Sequence, residues 1–158
     1  MLVTLVCGVV VTARFNKVEA YSLLSWDLVD SGKHMDWDGS CSYMTEWYES
    51  VKVWNSYKPG VIRVDTIWIV QDVKIKDYRE VSSTLAKTLS TGKIEFNTYN
   101  FDNMTTEQRQ KTMMHEIGHG LGLGHVSDGV SIMRQGVISQ TWLSADDKAG
   151  YDAAYKKY

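Results

Sequence analysis

Apolar residues recur at helical spacing at Met44, Trp47, Tyr48, Val51 and Trp54. Ser40 and Ser42 are available N-caps, and Pro59-Gly60 is a stop, so a first helix is predicted over roughly 42–56. Residues 61–70 and 71–78 are rich in Val and Ile with stretches of alternation, and both read as strands. Residues 83–89 form a shorter strand candidate, although the Leu85/Ala86 pair also suits a helix. The stretch 93–97 alternates cleanly, with Ile94 and Phe96 on one face and Lys93, Glu95 and Asn97 on the other. Residues 97–104 read as a polar connection. Thr105-Thr106-Glu107-Gln108 then offers a capping box for a helix that starts at Thr106 and runs into a histidine segment. Ser144-Ala145-Asp146-Asp147 opens a last capped helix, on which Tyr151, Tyr155 and Tyr158 share a face. The order is strand, helix, several strands, helix, loop, helix. That is an α+β fold, a mixed sheet with helices packed on it.

Composition adds limits. The chain has 158 residues, 44% of them hydrophobic and 23% charged, which suits one soluble globular domain. Pro59 is the single proline, and there is no repeat or low-complexity linker. The net charge is -2 with both signs interspersed, so no basic patch supports nucleic-acid binding. Most of the nine Tyr and six Trp are expected in the core. Cys7 and Cys41 make neither a disulfide framework nor a CxxC zinc site. Residues 2–13 form an apolar run too short to span a bilayer, and Val18-Glu19-Ala20 offers a cleavage site. Residues 1–20 therefore read as a signal peptide and 21–158 as a secreted mature domain without a membrane anchor. No Lys or Arg precedes the run, and the valine-rich stretch 5–12 could instead be a buried first strand.

The segment His115-Glu116-Ile117-Gly118-His119-Gly120-Leu121-Gly122-Leu123-Gly124-His125 carries the chemistry. His115 and His119 are four apart, so on a helix both imidazoles reach one metal from one face. Glu116 is beside a ligand and suited to take a proton from water that the ion acidifies. Gly122 permits the positive φ of a sharp helix stop, after which the chain can return His125 as third ligand. Isolated histidines are more often plain core or surface side chains. Here the chain has four, and three fall at the required positions.

This HExxHxxGxxH segment resembles that of the metzincin clan of zinc peptidases, which also carries a methionine in a tight turn beneath the metal. Met133 lies eight residues after His125, a spacing like that of the matrixins. Leu143-Ser144-Ala145-Asp146-Asp147 with Tyr151 and Tyr155 is similar to the last matrixin helix. Thr84-Leu85-Ala86-Lys87 resembles the edge strand that aligns substrate, and Lys93-Ile94-Glu95-Phe96-Asn97 the strand after it. The resemblance implies a twisted, mixed sheet of about five strands, three helices, an active-site helix ending at Gly122, a Met-turn and a C-terminal helix.

Some positions depart from the family. Lys87 and Glu95 stand where matrixins keep histidines for a structural zinc, so one catalytic zinc is expected and no second. Asn97 stands where a calcium-binding Asp would be, so calcium has no matched ligands. Gln135 replaces the tyrosine ligand of astacin-like relatives, and no Glu follows Glu116 to serve as a gluzincin ligand. Arg134-Gln135 follows the Met-turn where matrixins keep a Pro, and Cys7 lacks a cysteine-switch motif.

The implied activity is hydrolysis of peptide bonds by water that zinc promotes, with Glu116 as general base and a monomeric enzyme acting on extended polypeptides. Such a peptide would pair with the edge strand near Leu85 and Ala86. Its side-chain pocket would be walled by Arg134, Gly136, Val137 and Ile138, which suggests an apolar preference. A catalytically silent zinc-binding module on the same fold is the alternative, and it predicts a lost base. A zinc hydrolase for other substrates would use the same ligands.

Overall fold

The computed structural model describes residues 21–66, 71–127 and 129–158. The expected signal peptide, and the 67–70 part of the expected 61–70 strand, lie outside the described residues. The elements are β1 (Ser22–Leu23), β2 (Met35–Gly39), α1 (Met44–Tyr57), β3 (Ile62–Val64), β4 (Val73–Tyr78) and β5 (Ala86–Leu89). They continue with β6 (Lys93–Asn97), α2 (Thr98–Phe101), α3 (Thr106–Gly120), β7 (Leu123–Gly124) and α4 (Ala145–Tyr155). Five strands form one mixed sheet in the order β3-β2-β4-β6-β5. All neighbours run parallel except β5, which pairs antiparallel with β6 at the edge. β1 and β7 form a separate short antiparallel pair.

Helices α1 and α3 pack together and enclose the core. Trp47 and Trp54 of α1 are fully buried with Met113, Met114 and Ile117 of α3, against Ile75, Ile94 and Phe96 of the sheet. The Trp54 indole N–H donates to the Met114 carbonyl at 3.0 Å, which removes the cost of burying its one polar atom. Tyr151 of α4 closes the far side, edge-on to Trp54 with ring centroids 5.4 Å apart.

Several expectations need adjustment. Ser42 does not cap α1; its amide and hydroxyl donate to Asp77, and Tyr43 holds the cap position without a side-chain bond. The hydropathy pattern does not announce β2, because its Asp36 looks foreign to a strand interior. Asp36 is nonetheless fully buried, since Arg63 of β3 grips both its oxygens at 2.7 and 2.6 Å. The 97–104 connection contains a one-turn helix, α2, with Asn97 as its cap. The regular part of α3 ends at Gly120, and Gly122 is the left-handed residue just past it, at φ 85°. The predicted capping box forms at Thr105/Gln108, and the predicted cap at Ser144 is a second such box, closed by Asp147. Among the described residues no helix is long and apolar enough to cross a membrane.

Candidate metal centre

Helix α3 presents His115 and His119 one turn apart on one face. Gly122 turns the chain, with its N–H on the His119 carbonyl and its carbonyl accepting from Leu24. β7 then pairs with β1, and the chain leaves it at His125, aimed back at the helix. The Nε2 atom of His125 lies 3.1 Å from that of His119 and 3.1 Å from that of His115.

Hydrogen bonding on the other side of the rings fixes what these atoms are. The Nδ1 of His115 contacts the Ile132 carbonyl at 2.8 Å, and that of His119 contacts the Leu123 carbonyl at 2.8 Å. A carbonyl oxygen only accepts, so both Nδ1 atoms carry the proton and both Nε2 atoms carry a lone pair. His125 can donate to at most one of them, so the trio cannot satisfy itself by hydrogen bonding. A cation at their common centre does satisfy it, and separations near 3.1 Å suit nitrogens bonded at about 2.0–2.1 Å to one tetrahedral ion. Burial pushes His115 down to about 3 and holds His119 and His125 below the usual histidine range. All three are therefore neutral at about pH 7, as ligands must be. The residues present fit a metal ion.

The turn at 131–134 supports this arrangement from below. Its Ile132 carbonyl orients His115, and the sulfur of Met133 rests where a side chain on Gly118 would begin. Glycine at 118 is thus a packing requirement. Asp147, buried at the start of α4, accepts from the Ser131 hydroxyl at 2.5 Å and from the Ile132 amide at 3.1 Å, and so ties α4 to the turn.

Glu116 is buried beside the trio, and burial pushes its carboxyl up to about 7. The Thr88 hydroxyl on β5 lies 2.7 Å from Glu116 Oε2 and 3.0 Å from the Glu116 carbonyl. Thr88 thus holds one carboxylate oxygen and leaves the other, Oε1, for a ligand in the cleft.

These groups line a cleft of about 540 Å³. Leu85 and Ala86 border it on the β5 side, and Gly136 and Val137 on the opposite side. Arg134 and Ile138, expected beside Gly136 and Val137, instead line a separate hollow with Trp142, because the chain bends between these neighbours. Thr88 and Lys111 also line the cleft, and neither is among the expected site residues. Thr88 gives no sequence signal, whereas Lys111 stands one helical turn before His115, a spacing that points to the same face.

Lys87 and Glu95, where the resemblance placed the histidines of a structural zinc, form an ion pair at 3.1 Å, joined by Lys76 at 2.9 Å. The Asn97 amide donates to the Glu80 and Thr84 carbonyls and its oxygen accepts from the Glu80 amide, holding the 80–84 loop by direct bonds. Asp30, Asp36 and Asp72 also lie close together. There Asp36 is spent on Arg63, and Asp72 accepts from the Asp36 amide.

A sequence profile of the matrixin peptidase family matches residues 65–156. No curated protein sequence matches the chain. Among solved structures, a chain of the GM1-bound form of the ECX AB5 holotoxin superposes with a TM-score of 0.57 at 16% identity. That match covers 86% of this chain and 87% of the other, and at such identity it speaks for the fold.

Proposed function

The chain belongs to the matrixin family of zinc metallopeptidases, and on that premise we propose that it is an endopeptidase in which His115, His119 and His125 hold zinc and Glu116 is the general base. The observation that carries the reading is the convergence of three Nε2 atoms beside a buried carboxylate, in a cleft bordered by a sheet edge.

Zinc, when bound, supplies a Lewis acid that acidifies water and polarises the scissile carbonyl. The chain's own groups do the rest. Thr88 holds Oε2 of Glu116, so Oε1 is free to take a proton from the attacking water and return it to the departing amine. The proton ends on the leaving nitrogen and the hydroxyl on the carbonyl carbon, so no acyl-enzyme is needed. β5 aligns the peptide. The Asn97 backbone N–H donates to the Leu85 carbonyl at 2.9 Å, and the register pairs Ala86 with Phe96. In antiparallel alternation, Leu85 and Lys87 then turn their backbone groups to β6, and Ala86 turns its own to the open edge. An extended substrate can bond there as an added strand.

The test is casein and peptide cleavage by the zinc-loaded chain, with and without phenanthroline. Glu116→Ala is expected to keep its zinc and lose roughly 10²–10⁴ in kcat. Undiminished cleavage by that variant defeats the assigned base. The silent-module alternative loses its main support because Glu116 is present beside the histidines.

A further inference from the structure

We propose that Lys111 determines specificity: its ammonium group makes the pocket beside His115 a receptor for an acidic substrate side chain next to the scissile bond. The proposal rests on the peptidase reading above and names the substrate class that it leaves open.

Lys111 and His115 are four apart on α3, so their side chains share a face. Lys111 is only 2% exposed, yet it lines the cleft that holds the histidines and Glu116. Its Nζ donates to the Arg134 carbonyl and, at 3.4 Å, to the Gly136 carbonyl. An ammonium has three donor hydrogens, and these contacts account for two. Among the described residues no carboxylate lies within ion-pairing distance of it.

The acidic groups that feel this charge from a distance are Glu116 on the same helix and Asp147 on α4. Both are engaged, Glu116 by Thr88 and Asp147 by Ser131, Ile132 and Ser144. Arg134, whose side chain lines the neighbouring hollow, adds only like charge. A buried cation without a counter-ion is costly, and much of that cost is recovered when an anion reaches it. Burial has already drawn the amine down to about 8, the mark of a charge short of a partner. A peptide Asp or Glu brings a carboxylate to the free hydrogen. An apolar side chain, which the family resemblance suggested, would leave the cation unpaired and more deeply buried.

The experiment uses the zinc-loaded full chain at about pH 7 and a peptide library randomised around one cleavable bond. It is followed by matched peptides that differ only in Glu, Gln or Leu at the selected position. Enrichment of Asp and Glu is expected at one position beside the scissile bond, with kcat/KM for the Glu peptide about tenfold above its Gln twin. Lys111→Met should erase or invert that ratio, while Lys111→Arg keeps it, both with zinc content unchanged. If Lys111→Met fails to fold, the wild-type Glu/Gln ratio still decides. Equal or faster cleavage of the Gln and Leu peptides by the wild type overturns this proposal and leaves the peptidase reading intact. Persistence of the Glu preference in Lys111→Met overturns it too. No cleavage of any peptide by the zinc-loaded chain overturns both.

Discussion

The two sides of the cleft are built from different material. On one side, β5 offers backbone, and the outward groups of Ala86 are the same whatever peptide arrives. On the other, Lys111 with Gly136 and Val137 offers a charge and a shaped wall, which distinguish one side chain from another. Backbone pairing supplies affinity without choice, and a buried charge supplies choice at some cost in stability. With β5 aligning substrate as proposed, the division teaches that alignment and selection can fail separately in this molecule. Substitutions on the β5 side should act on all substrates alike, and substitutions at Lys111 on acidic ones alone.

The sharpest break comes where β5 touches Glu116, the proposed base. Thr88→Val removes the hydroxyl from Glu116 and leaves a buried carboxylate without that donor. The expected result is a fall of about 10- to 100-fold in kcat for every peptide, with KM nearly constant. Thr88→Ser should restore most of it, and steady-state kinetics on Glu and Gln peptides checks that their ratio does not move. A rise in KM with kcat intact would make Thr88 part of the substrate track instead. A smaller effect is expected at Ala86→Pro, which deletes one outward N–H at a sheet edge that tolerates proline. KM should rise roughly tenfold for all peptides, again with the selectivity ratio unchanged. If only some sequences suffer, the β5 side reads side chains and the division between the two sides is lost.

What is legible in the sequence follows from range. The histidine trio is a local pattern, two members by helical period and the third by a glycine stop, so its residues can be named from the amino-acid order alone. The helix caps at Thr105 and Ser144 and the alternation of 93–97 are equally local, and they form where the pattern puts them. Interactions between distant segments stay hidden. Asp36 belongs in a strand only because Arg63, 27 residues on, neutralises it. Thr88 matters only because Glu116 lies 28 residues away in sequence and 2.7 Å away in space. The spacing puts Lys111 on the face of His115, but its burial shows only where the carbonyls of Arg134 and Gly136 close over it. Arg134 and Ile138 stand next to cleft residues in sequence, yet the chain bends them away to another hollow.

All of this chemistry depends on three neutral imidazoles meeting at one ion. The decisive measurement is zinc content after equilibration and removal of excess metal, on the wild type and on His115→Ala, His119→Ala and His125→Ala in turn. One tightly held zinc per chain is expected in the wild type and its loss in each variant, with the fold kept by circular dichroism. Stoichiometric zinc retained by all three variants, or none bound by a folded wild type, would refute the shared metal centre.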